Sequence, residues 1–217
     1  MSEISPSLED VLRPGRAALL VVDIQHDFVH PRGWGARHGA ETALLRPVIP
    51  VINQLIAAAH AARVSVAYLA VEHGPAVDAA NYRARYARRG MDGDVLCAVG
   101  TWGAALDDEL TPPGPGDLRI VRHSYDGFAW TTLDRDLRAR GVEAVVATGV
   151  VTNVCVQATA QHAFALGYHV VVVEDGTAAA DPGVHSMTLR NIGDYFGWVT
   201  QSEYIRAQWM PQEARSR

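Results

Sequence analysis

The chain contains no lysine: all 19 of its basic residues are arginine. That absence removes the usual Schiff-base former and the cationic side chain whose proton burial most readily loosens. Cysteine is nearly absent as well, Cys97 and Cys155 being the only two among 217 residues. Two cysteines so far apart make no disulfide framework and suit a reducing compartment. Positive charge is not in excess, because the net charge is −5. No electrostatic footprint for nucleic acid or an anionic membrane surface follows from such a balance. The segment Met1–Pro14 is polar and lacks the apolar centre of a signal peptide. No run reads as the roughly 18 apolar residues that a membrane span requires. Together these absences point to a cytoplasmic protein with neither a nucleic-acid nor a membrane partner.

Apolar residues are plentiful, at 48%, enough to bury the core of one domain covering residues 1–217. Strand and helix patterns alternate. Ala17–Ile24, Val64–Ala70, Leu118–Val121, Val142–Val151, Tyr168–Val173 and Gly197–Thr200 read as strands, several of them almost uninterrupted apolar runs. Val48–Ala62, Thr131–Arg140, Cys155 to about Leu166, and His185–Phe196 read as helices. The alternation predicts βαβ units, hence a three-layer α/β fold with a mainly parallel sheet and helices on both faces. Such sheets bind ligands beyond the carboxyl ends of their strands. Asp23, His73, Arg122 and Val151 all fall there. Two connections, Gln25–Ala40 and Val71–Asp117, are long enough to serve as lids.

Cys155 follows an apolar run in Gly149-Val150-Val151-Thr152-Asn153-Val154-Cys155-Val156. With Thr152 as N-cap, Cys155 falls in the first helical turn, where the helix dipole favours thiolate. A thiolate nucleophile needs a base, and Asp23 at the end of the first strand is the candidate. On spacing alone, Asp23 reads more readily as a loop cap, and Cys155 reads equally as an inert buried thiol.

Three segments taken in order resolve that choice. Asp23-Ile24-Gln25-His26-Asp27-Phe28, Arg122-His123-Ser124-Tyr125-Asp126-Gly127-Phe128 and the Cys155 segment resemble the motifs of the isochorismatase-like cysteine hydrolases. Thr159-Ala160, Gly167-Tyr168 and Val173-Glu174-Asp175 extend the resemblance across roughly Ala17 to Thr200. The resemblance implies a six-stranded parallel sheet in the order 3-2-1-4-5-6 and assembly as a homodimer or homotetramer. It also implies an Asp–Lys–Cys triad that hydrolyses a small amide, ureido or carbamoyl C–N bond through a thioester. Asp23 takes the acid–base role and Cys155 the nucleophile role. A cis peptide before Val151 is implied, with the Val151 and Cys155 N–H groups as the oxyanion hole. The lysine is the departure, since Arg122 stands in its place. Arginine keeps the charge but cannot give up its proton.

Aromatic residues near the same rim outline a pocket for a small amide or ureide. Phe28, Trp34, Tyr125 and Phe128 would form walls, with Gln25 and Asn153 as hydrogen-bonding groups. No cofactor or metal is expected. The Asp-x-His pattern of metal-binding relatives is missing at Val71-Glu72-His73, and the nine histidines lack ligand spacing. Cys97 lies in an apolar patch and reads as structural. The arginine-rich Tyr82–Arg89 reads as a solvated helix face that could attract an anionic substrate group. Two competing functions remain: vinyl-ether cleavage of the isochorismate type, which has no need of Cys155, and a non-catalytic binding role.

Overall fold

The computed structural model describes residues 6–88, 90 and 94–210. Six strands form one all-parallel sheet in the order β3-β2-β1-β4-β5-β6. They are β1 (Ala17–Val22), β2 (Ser65–Val71), β3 (Leu118–Arg122), β4 (Ala144–Val150), β5 (His169–Ala178) and β6 (Gly197–Thr200). Side chains alternate across the central strand, as strand geometry requires. Leu19 and Val21 enter one core with the Val48–Ala62 and Ser202–Trp209 helices. Ala18, Leu20 and Val22 enter a second core with the helices Leu133–Ala139, Gln157–Ala165 and Pro182–Tyr195. β1 and β4 are buried along their whole length because both faces are covered.

Several boundaries differ from the sequence reading. Strand β3 runs one residue further, so Arg122 sits in the ladder opposite Val71. β5 continues past Val173: after a register shift, Thr177 and Ala178 pair with Gly149 and Val150. The last long helix begins at Pro182 rather than His185, because Asp181 caps it. Its Oδ1 accepts from the Gly183 and Val184 N–H groups, and proline suits the first helical position. The long connection after β2 contains a helix, Ala80–Ala87, which buries Tyr82 and Tyr86 while Arg83 and Arg88 face solvent. Arg89, the end of that arginine-rich segment, lies outside the described residues.

By length and composition Thr42–Ala62 could cross a membrane, contrary to the sequence reading. In the fold, however, Ile49, Ile52, Leu55, Ile56 and Ala59 from this segment are buried in the first core. Gly149 illustrates how tightly the sheet centre is built. Its φ is +110°, and an added Cβ would lie 2.0 Å from the Val22 carbonyl oxygen. Only glycine fits there.

Candidate active site

Strand order β3-β2-β1-β4 brings the carboxyl ends of four segments side by side. Asp23 leaves β1 in the left-handed region, φ +53°, and its N–H donates to the Leu69 carbonyl of β2 at 2.9 Å. A non-glycine residue in that region is uncommon and often marks a functional position. Arg122 ends β3, and its carbonyl accepts from the Glu72 N–H at 2.9 Å. Its Nη2 donates to Asp23 Oδ2 at 2.5 Å across 99 residues of sequence. Nη1 donates to the Ser124 carbonyl. The Val150–Val151 peptide is cis, and the chain then turns into the Cys155 segment.

That segment does not start as the sequence suggests. Val151, not Thr152, occupies the cap position, and its carbonyl accepts from the Val154 and Val156 N–H groups at 3.1 and 3.4 Å. The second bond spans five residues, so Thr152–Val156 forms a wider turn than an α-helix. Thr152 instead pairs through Oγ1 with His185 Nδ1 at 2.9 Å.

Asp23, Arg122 and Cys155 are 0%, 1% and 3% exposed, and the thiol interacts with both other side chains. Asp23 Oδ1 is buried with no hydrogen-bond partner among the described residues. Burial pushes the Asp23 carboxyl above the ordinary carboxylate range, against the pull of Arg122, the thiol and His73. Burial also opposes the Arg122 charge, but Asp23 and Cys155 outweigh it and hold the guanidinium still more firmly protonated. For Cys155, burial and then Asp23 push the thiol up, and Arg122 offsets only part. The expectation of a resting thiolate is therefore corrected: desolvation exceeds the field of the helix start.

Cys155 lines a small, partly open cavity of about 90 Å³ with Phe28, Tyr125 and Val151. That is about three water volumes, room for a planar amide or carbamoyl group. His73, Tyr82 and Arg85 complete its polar wall. His73 is 1% exposed; its Nδ1 lies 2.7 Å from Asp78 Oδ1, and its ring stacks on Tyr82 at 4.1 Å. Burial pushes its pKa down, against Asp78. Asp78 accepts a hydrogen bond from the Nδ1–H of the neutral ring, which leaves Nε2 as a buried acceptor with no hydrogen-bond partner among the described residues. A broader depression of about 830 Å³ lies near Leu12, Ala61 and Trp209, by the amino-terminal ends of β1 and β2, away from the three grouped residues.

Four expected pocket residues do not line the Cys155 cavity. The Gln25 amide is fully engaged: Nε2 donates to the Val71 and Ala104 carbonyls at 2.8 and 2.6 Å, and Oε1 accepts from the Val71 N–H at 2.9 Å. It staples the first loop to β2. Phe128 packs in the second core, near Tyr168 and His162. Trp34 donates through Nε1 to the Asp94 carbonyl and stacks on His38; it reaches the cavity only through Tyr86 and Tyr82. Asn153 is half-buried on the Cys155 turn, outside the lining. Tyr82 and Arg85 belong to the segment that the sequence reads chiefly as a solvated helix face, and they line the cavity instead; the i, i+4 spacing of Tyr82 and Tyr86 is the signal for a buried side. Cys97 is buried and structural: its N–H donates to Asp27 Oδ2 at 2.7 Å, and burial pushes its thiol up.

Comparison with known proteins agrees with this geometry. The isochorismatase domain model matches residues 17–204. The ureidoacrylate amidohydrolase RutB of Methylobacterium radiotolerans is 39% identical over 201 residues, 87% of this chain and 78% of that protein. RutB of Methylorubrum extorquens is 37% identical over 209 residues, 91% and 84% of the two chains. Among solved structures, a cysteine hydrolase from Pseudomonas syringae pv. phaseolicola has a TM-score of 0.82 at 28% identity, covering 96% of this chain and 98% of that one. N-carbamoylsarcosine amidase from Thermoplasma acidophilum has a TM-score of 0.70 at 28% identity, covering 87% and 97%. By sequence and by fold, the chain belongs to the isochorismatase family.

Proposed function

We propose that the chain is a cysteine hydrolase of a small non-peptide amide, ureido or carbamoyl C–N bond. The observation that carries this reading is the burial of Asp23, Arg122 and Cys155 together, with Cys155 on the wall of a small cavity. The activities in the names of the RutB and N-carbamoylsarcosine amidase relatives support the bond class.

In the proposed cycle, Asp23 takes the Sγ proton as Cys155 attacks the carbonyl carbon and the C–S bond forms. Charge moves onto the carbonyl oxygen, toward the Val151 and Cys155 N–H groups, the proposed oxyanion donors. The C–N bond then breaks, and Asp23 returns the proton to the departing nitrogen, releasing ammonia or an amine. Water gives a proton to Asp23 and adds to the thioester carbonyl. The C–S bond breaks, and Cys155 recovers the proton. Arg122 keeps its proton throughout; its charge steadies the carboxylate and the transient thiolate. The scheme uses no cofactor.

A panel of amides, ureides and carbamoyl compounds, with intact-mass detection of an acyl adduct on Cys155, tests the reading. Hydrolysis should disappear in Cys155→Ala, and the adduct should appear with the wild-type chain. Hydrolysis that survives Cys155→Ala would sink the thioester scheme and favour an acid-driven reaction of the vinyl-ether type.

A further inference from the structure

We infer that Arg85 is an anion anchor in the Cys155 cavity, and that the substrate therefore carries an acid group beside its amide or ureido function. This rests on the hydrolase reading above and deepens it. Arg85 lines the same cavity as Cys155. Its neighbour Arg83 is engaged on the protein surface, donating to the Pro75 and Asp78 carbonyls. Arg85 instead turns inward. Its Cζ lies 5.8, 5.1 and 5.6 Å from the ring centres of Tyr82, Tyr86 and Tyr125. Among the described residues, no carboxylate lies within ion-pair distance of it.

Charge balance gives this placement its meaning. The Asp23 and Arg122 charges cancel within their own pair. Among the described residues, the half-buried guanidinium of Arg85 is then a charge on the cavity wall with no carboxylate partner. A partly desolvated cation without a counter-ion is costly, and a carboxylate accepts a guanidinium's paired donors well. The three tyrosine rings gather round the guanidinium and favour its charge. The carbamoyl end of a substrate would meet Cys155 while its acid end meets Arg85.

Two matched alkylating reagents test the anchor without knowledge of the substrate. Iodoacetate and iodoacetamide differ in charge but hardly in size, and each joins Sγ with loss of iodide. Their rates at Cys155 are followed by mass spectrometry and compared with their rates on free cysteine under the same conditions. The iodoacetate-to-iodoacetamide ratio at Cys155 should exceed that of free cysteine by about tenfold to a hundredfold, the range of hydrogen bonds to charged groups. Arg85→Gln should bring the ratio down by a similar factor, Arg85→Lys should keep part of it, and added salt should reduce it in the wild type. A ratio equal to that of free cysteine, or one unchanged in Arg85→Gln, would overturn the anchor and leave the hydrolase reading standing. No labelling by either reagent would overturn the cavity as the route to Cys155, and the anchor with it. Loss of hydrolysis across the amide panel, with the charge preference intact, would count against the reaction alone.

Discussion

At the scale of residues, the proposed cycle separates two jobs that one lysine could combine. In it Arg122 supplies charge and hydrogen bonds but no proton, so the proton transfers fall to Asp23. This assignment makes a sharp prediction for Asp23→Asn. Hydrolysis should fall by about 10²- to 10⁴-fold, the usual worth of a positioned general base. Alkylation of Cys155 by iodoacetamide near neutral pH should become faster in the same variant, because Asp23 is one of the groups holding the thiol up while Arg122 pulls it down. Opposite movements of the two rates distinguish a base from a residue that merely keeps the site folded; a parallel fall would refute the role. The pH profile follows from the same charges. Asp23 must be ionised to accept the thiol proton, and burial raises its pKa. Activity should thus fall on acidification at a higher pH than an exposed aspartate, near 3.9, would give. A kcat/KM profile whose acid limb lies at or below that value would contradict it.

At the scale of elements, the site depends on how strands and turns end. β1 ends in a left-handed residue, β3 ends on Arg122, and β4 passes through a cis peptide into the Cys155 turn. The Pro182–Tyr195 helix touches this turn through the His185–Thr152 bond. Its N-cap is therefore a useful place to separate stability from chemistry. Asp181→Ala removes both capping bonds and should cost about 1 kcal/mol, a fall in Tm of about 2–4 °C for a chain of this size. Thermal unfolding checks it; an unchanged Tm would mean that the cap contributes nothing. Much of this scale was legible beforehand. The apolar runs marked the strands, and the β1, β2 and β4 readings come within a few residues of the observed bounds. The Ala80–Ala87 helix reads as a solvated face because its mean composition is polar, yet Tyr82 and Tyr86 are buried and Arg85 lines the cavity.

At the scale of the whole molecule, two cores on opposite faces of one sheet make a rigid frame with the candidate chemistry on a single rim. The surface also exposes large apolar side chains: Trp130 is 92% exposed, Met187 75% and Tyr195 70%. We propose that the chain works as a homodimer or homotetramer. Light scattering coupled to size exclusion should return two or four times the chain mass, and the mass of a single chain would refute it.

By itself the sequence determined the fold class and the strand and helix order, and it pointed to Asp23, Arg122 and Cys155 as the candidate group. Those features are written in local periodicity and in short ordered motifs, which a linear reading can detect. It also determined that the cation near the thiol is an arginine, because no lysine exists in the chain. Only the tertiary structure decided what these residues face. Gln25 and Phe128 lie in or beside motifs that carry chemistry, yet one is spent on backbone bonds and the other on packing. Arg85, from a segment that reads as solvated surface, turns inward to the cavity. The protonation of Cys155 was likewise invisible, for burial and the charge of Asp23 act across long sequence separations. Which side chains share a cavity, and how much water reaches them, is set by contacts that no local pattern encodes.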